Sequence, residues 1–177
     1  MARLSELVMM LQRRLPVPLV RAGYRVAYRC AQLLWFFVRP DTHGVKGILR
    51  DGDRVLLVRH TYGDRNRWDV PGGHAHRDEP PAEAVEREMA EELGVHVAWE
   101  HVGSIGAHTD HKVERIHCFV AARSPGMELD IARGEIGEAQ WFALDALPAP
   151  MGALSRRTLA LLRGGDGGGP DGAARGS

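Results

Sequence analysis

The sequence predicts an α/β fold with a mixed sheet lying between helices, preceded by a helical extension. Three observations carry that expectation. Beyond Pro40 the chain changes from a helical pattern to short alternating apolar runs, which read as half-buried strands. From Pro80 to Gly94 the apolar period lengthens to that of a helix, and Ser155 to Arg163 repeats it near the end. Ahead of Pro40, Arg21, Arg25 and Arg29 recur at helical spacing beside an apolar face.

Taken in order, Ser5 to Arg14 forms a short helix that Pro16 and Pro18 terminate. Pro18 to Val38 is then an amphipathic helix, with Tyr24, Ala27, Ala31 and Leu34 on one face and the arginines on the other. Its run Leu33 to Val38 is bracketed by Arg29 and Arg39, far short of the roughly 20 residues a membrane span needs. The same arginines interrupt any signal peptide, and no small-residue cleavage site follows. Three roles stay open for this helix: packing on the following domain, forming a homodimer, or making a peripheral contact with an anionic membrane surface.

Val45 to Leu49 and Val55 to Arg59 read as strands joined through Arg50-Asp51-Gly52-Asp53, a hairpin signal. Trp68 to Val70 is a short strand leading into the glycine loop Pro71-Gly72-Gly73. Pro80-Pro81 stands where a helix begins, Ala82, Val85, Met89 and Leu93 form its buried stripe, and Gly94 ends it with a left-handed cap. Val95 to Ile105 and Ile116 to Ala122 are further strands around the polar turn Asp110 to Glu114, and Ala139 to Ala143 closes the sheet before the last helix. The glycine-rich residues after Gly164 have no apolar period and read as a disordered tail. The division expected is an extension over 1–40, one domain over 41–163 and a tail over 164–177.

Composition narrows the function classes. The length suits one domain with a substantial core plus extensions. The 23 basic and 23 acidic residues balance, which argues against general nucleic-acid binding because that needs a basic footprint. Cys30 and Cys118, both in apolar contexts, read as buried reduced thiols of a cytoplasmic protein.

Local chemistry is more telling. Glu88, Glu91 and Glu92 stand at i, i+3 and i+4, so three carboxylates share one side of a helix and repel. A cation among them resolves that repulsion, and Mg2+ suits carboxylate oxygens together with substrate phosphate. Arg87 reaches Glu91 one turn on and fixes it. The glycines at 72 and 73 permit close backbone approach to a ligand.

With Gly73, Glu79, Arg87-Glu88-Met89, Glu91-Glu92 and Gly94-Val95 in place, the segment resembles the Nudix box, G-x5-E-x7-R-E-U-x-E-E-x-G-U, where U is bulky and aliphatic. Met89 is the one mild departure. Nudix-like sequence runs from about His43 to Pro148, and the resemblance implies a Nudix-like α/β/α sandwich. It further implies hydrolysis of a nucleoside diphosphate linked to another moiety, by water attacking phosphorus with Mg2+ or Mn2+ as cofactor. On that pattern Glu88, Glu91 and Glu92 look like metal ligands with the Gly73 carbonyl, while Arg87 and Glu79 orient them. Glu91 ranks first as general base and Glu135 second, with Glu114 and Glu138 as further candidates outside the box. Arg65, Arg67 and Trp68 precede the glycine loop and are candidates to hold phosphate or stack a base, with Trp68 read at least as well as a packing residue. His74-Ala75-His76 is an alternative metal pair. The stretch after the box lacks the proline of ADP-ribose hydrolases and the tyrosine of dinucleoside polyphosphate hydrolases, leaving the leaving group open. Two rivals share the fold: a non-catalytic nucleotide sensor, and an isoprenoid-diphosphate isomerase using Cys118.

Overall fold

The computed structural model describes residues 16–38, 41–109 and 112–164, and the helix expected at Ser5 to Arg14 and the tail expected after Gly164 lie outside them. Its elements are α1 (Val17–Val38), β1 (Asp41–Asp51), β2 (Arg54–His60), α2 (Pro81–Leu93), β3 (Glu100–Thr109), β4 (Lys112–Ala122), β5 (Ile136–Ala143) and α3 (Ala153–Gly164). The sheet runs β3-β4-β1-β2-β5, with β1 and β4 parallel and every other pair antiparallel. The mixed sheet between helices is the architecture expected.

Val55-Leu56-Leu57-Val58 explains how the layers form. All four are buried, because alternate side chains enter different cores: Leu56 and Val58 pack with Val85, Met89 and Leu93 of α2, while Val55 and Leu57 pack with Leu159 of α3. A strand covered on both faces therefore reads as a continuous apolar run. Met89 is fully buried and its thioether closes on Gly47, where an added Cβ would lie 2.7 Å from its sulfur. The unbranched side chain fills that gap, so the departure from the box is accommodated.

Several boundaries shift. β3 begins at Glu100 rather than Val95, because Val95 and Val97 pack on the α2 core as a connecting segment. Trp68 to Val70 is a pair of isolated bridges, Val58 with Asp69 and Trp68 with Met151, rather than a strand. Ala82 is exposed and Ala84 takes its place in the buried stripe, since the helix turns Ala84, Val85, Met89 and Leu93 inward together. The β1–β2 turn is the two-residue loop Gly52-Asp53, and Gly52 supplies the positive φ of 64° that such a turn requires.

The N-terminal helix packs on the domain by a face that shares Tyr24 with the one expected but runs through Val20 and Tyr28 rather than Ala27. Tyr24 and Tyr28 meet Tyr62, with ring centroids 5.9 and 5.4 Å apart, and Val20 covers Gly134. Ala27 and Cys30 are exposed, which corrects the reading of Cys30 as a buried thiol, whereas Cys118 is buried. Residues 20, 24 and 28 share a stripe at four-residue spacing, and aromatic area outweighs the alanines that had suggested the neighbouring face. Ala31 and Leu34 lie outside the described side chains. Among the described residues no helix is long and apolar enough to cross a membrane.

Candidate active site

Backbone hydrogen bonds bring four segments together around the N-terminal half of β1 and the C-terminal end of β2. The glycine loop runs beside β1: Val45 N–H donates to the Gly73 carbonyl (2.9 Å), Gly47 N–H to Pro71 (3.1 Å) and Ala75 N–H to His43 (2.9 Å). At the far end of α2, Ala132 N–H donates to the Glu92 carbonyl and Asp130 N–H to that of Leu93, both at 2.9 Å, pinning the loop that carries Glu135. Thr61 N–H then donates to the Glu135 carbonyl at 2.8 Å. The β2–β5 register slips between Arg59 and His60, so that Arg59 faces Glu138 but His60 faces Ile136. Such a bulge re-aims side chains, and here it sets His60 next to Glu135.

The box carboxylates differ sharply in environment. Glu92 is 3% exposed and accepts from Gly72 N–H at 3.0 Å. Glu88 is largely buried against Gly73, where an added Cβ would fall on its carboxylate, while Glu91 stands at the rim. Arg87 is the hub of this side. Its Nε and Nη2 donate to both oxygens of Glu79 (2.8 and 2.9 Å), its Nη1 to Glu88 (2.9 Å) and its Nη2 also to the His74 carbonyl (3.0 Å). The expected Arg87–Glu91 pairing is the longest of these ion pairs, at 3.6 Å. Glu79 wins because the His76 N–H (2.7 Å) fixes its carboxylate where the guanidinium fork engages both oxygens.

That fork, with the His76 N–H, holds the Glu79 carboxyl at about 2, well below its ordinary value. A depressed folded value means stability that is complete above the unfolded value near 4.5 and is lost as the pH falls towards 2. Glu79→Gln should therefore lower Tm at pH 7 but make little difference at pH 2.5, a contrast measurable by thermal melts of the two proteins side by side.

Glu88, Glu92 and Glu135 shift the opposite way. Burial raises all three, and Glu92 is raised further by Glu135 and Glu88, against the opposing pull of Lys46. Hydrogen bonds from the Tyr62 hydroxyl (2.8 Å) and from Tyr24 of α1 hold Glu135 and partly offset its burial. His60 falls to about 4, chiefly through burial and then through Lys46, so its imidazole is neutral at neutral pH. Ligand atoms of His60, Glu92 and Glu135 lie within 4.8 Å of one another. The His60 Nδ1 is buried and has no hydrogen-bond partner among the described residues. Oxygen donors crowded and desolvated in this way, with a neutral imidazole beside them, fit a divalent cation, whose charge would favour the ionised carboxylates that burial disfavours. The Gly73 carbonyl keeps one lone pair beyond its bond to Val45.

Other expected residues fall elsewhere. Trp68 is 4% exposed, edge-on to Phe142 (4.8 Å) and covered by the Arg59 guanidinium (4.3 Å), so it is a core residue and not a base-stacking platform. Arg67 pairs with Asp69 at 3.1 Å. Arg65 is exposed and lines a cavity beside Arg59 and His60. Glu138 pairs with Arg59 at 3.1 Å, and Glu114 lies outside the described side chains. His74 and His76 are exposed on a cavity of about 740 Å³ shared with His43 and His117, and they belong to no group of three convergent ligands among the described residues. Cys118 is buried with its sulfur 3.8 Å from Thr158 of α3, on the sheet face away from α2 and its carboxylates, which removes the basis for a catalytic thiol.

Three residues of this centre escape sequence reasoning. His60 is one histidine among nine, and Tyr62 and Lys46 stand in no motif. The alternation of β2 hints that His60 ends a strand, but its partner depends on the β5 register, which the sequence does not spell out.

Comparison with known proteins gives the family of the chain. The family model for the NUDIX domain matches residues 40–162. A MutT-like protein of Streptomyces ambofaciens is 28% identical over 134 residues, covering 74% of this chain and 82% of that one. An NAD-capped RNA hydrolase, NudC, of Pseudomonas aeruginosa is 37% identical over 98 residues, which are 55% of this chain but only 34% of that protein. Among solved structures, a MutT NUDIX hydrolase from Burkholderia pseudomallei superposes with a TM-score of 0.63 at 24% identity, covering 70% of this chain and 98% of that one.

Proposed function

Because this chain belongs to the Nudix family, enzymes that act on pyrophosphate bonds, we propose that it hydrolyses a nucleoside diphosphate linked to another moiety, with Mg2+ as cofactor and Mn2+ as the alternative ion. The observation that carries the reading is the buried cluster of Glu88, Glu92, Glu135 and His60, whose carboxylates are held in surroundings unfavourable to their own charge.

Glu88 and Glu92 would hold the ion, joined by Glu91, the Gly73 carbonyl and, beyond the box, Glu135 and His60. When bound, the ion neutralises diphosphate charge and acidifies a water. The chain supplies the rest. Arg87 ties Glu88, Glu79 and the His74 carbonyl into one frame, so the ligand carboxylates and the glycine loop move as a unit. Glu91, the most exposed of the box carboxylates, accepts the proton of the attacking water, with Glu135 the second choice because two tyrosine hydroxyls already engage it. Arg65 meets substrate phosphate. Cytoplasmic residence belongs to the same reading and is supported by two free cysteines.

The test is product release from nucleoside triphosphates, sugar nucleotides, ADP-ribose, NADH and diadenosine polyphosphates, with and without Mg2+. Metal-dependent cleavage of one class is expected. Silence across the panel, together with measurable binding of Mg2+ and nucleotide, would move the assignment to a non-catalytic sensor.

A further inference from the structure

We propose that the N-terminal helix completes a phosphate-binding subsite beside the carboxylate cluster, taking a phosphate group of the substrate other than the one attacked. The proposal rests on the hydrolase reading for its catalytic role, but the anion binding stands by itself.

A cavity of about 190 Å³ lies between α1 and the β2–β5 edge, where Arg21 and Arg25 of the helix face Arg59 and Arg65 of the domain. Among the described residues Glu138 is the only carboxylate in its wall, and it pairs with Arg59. Arg21 gives its Nε to the Arg133 carbonyl, and among the described residues neither Arg25 nor Arg65 has an ion-pair partner. With Arg59 engaged by Glu138 and the Trp68 ring, Arg21, Arg25 and Arg65 leave the cavity wall with uncompensated positive charge. Cavities that enclose whole small molecules run to about 300–1,000 Å³, so this one suits a single compact anion. Guanidinium forks match phosphate oxygens better than any other common donor.

Its position links it to the chemistry. His60 lines the cavity and also belongs to the cluster with Glu92 and Glu135. The helix is seated by Tyr24 and Tyr28 on Tyr62 and by Val20 over Gly134, so the backbone that carries the two arginines is held in place before any ligand arrives. The family match begins at residue 40, so this wall is an addition to the family's domain rather than part of it.

The experiment titrates inorganic phosphate into the full chain by calorimetry without divalent ions, so that anion binding is read separately from catalysis. The double variant Arg21→Gln, Arg25→Gln should weaken phosphate binding about tenfold or more, as expected for losing charge-assisted bonds. Arg29→Gln, which removes the same charge from the same helix outside the cavity, should not. Arg65→Gln, on the opposite wall and independent of helix docking, should reproduce the loss. With a substrate found in the panel, the double variant should raise KM while kcat changes little. Unchanged phosphate binding in both the double variant and Arg65→Gln overturns the subsite, as does an equal loss in Arg29→Gln. Binding that appears only with vesicles of anionic phospholipid, and never with free phosphate, overturns it in favour of a membrane-facing helix. Phosphate binding that responds to these variants in a protein without hydrolytic activity keeps the subsite and removes the hydrolase reading.

Discussion

Glu92→Gln is expected to lower turnover by about two to three orders of magnitude, the scale of removing one preorganised electrostatic contact at a reacting centre. The substitution keeps the volume and retains an oxygen to accept the Gly72 N–H, so the packing of α2 has no reason to change. Its effect on stability should run the other way. The Glu92 carboxyl is raised by burial and by Glu135 and Glu88, which means the ionised form opposes folding at neutral pH. Removing that charge should leave Tm of the metal-free protein equal or higher. The rise in Tm on adding Mg2+ should shrink. Turnover close to wild type with an undiminished Mg2+ response would remove Glu92 from the ligand set.

Gly72→Ala should be among the most damaging single substitutions outside the core, destabilising by about 3 kcal/mol. Gly72 has φ 138°, where an L side chain is strained, and an added Cβ would drive into the Val45 carbonyl. Neither partner yields, because Val45 is paired in the central strand and its own N–H is bonded to Gly73. For a chain of this size a loss of that order lowers Tm by about 6–12 °C, readable in a thermal melt. Activity should fall with it, since the Gly72 N–H orients Glu92. A variant that melts within about 2 °C of wild type would show that the glycine loop bends more readily than its hydrogen bonds suggest.

Much of this fold was legible because local rules and the tertiary structure agree. Pro81 and Gly94 bound α2 as their backbone preferences require, and Gly94 takes the left-handed φ of 66°. The box carboxylates at i, i+3 and i+4 project to one side because helical geometry leaves no alternative. What stayed hidden depends on contacts between distant segments. Helix spacing offers Glu91 as the partner of Arg87, yet a residue eight positions away, fixed by a backbone amide, competes better. Trp68, beside two arginines, reads from the sequence either as a stacking platform or as a packing residue, and the contacts with Phe142 and the α3 core decide for packing. His60 and Glu135 meet through a bulge between β2 and β5, and no pattern within either strand signals the slip.

The parallel pairing of β1 with β4 carries a kinetic consequence. Partners such as Gly44 and Ile116 are 72 positions apart, and α2, with all its box residues, lies within the crossover that joins them. Closing so long a loop costs entropy before any strand contact rewards it, and chains dominated by such distant pairings fold in milliseconds to seconds. The hairpin of β1 and β2 has only a two-residue loop to close and should form early. That hairpin already offers α2 the core of Leu56 and Val58, whereas Glu92 meets Glu135 only when the loop bearing Glu135 is drawn against the end of α2. In a refolding chain the secondary structure should therefore return before the cluster of His60, Glu92 and Glu135 does, with metal affinity, on the function proposed, the last property to recover.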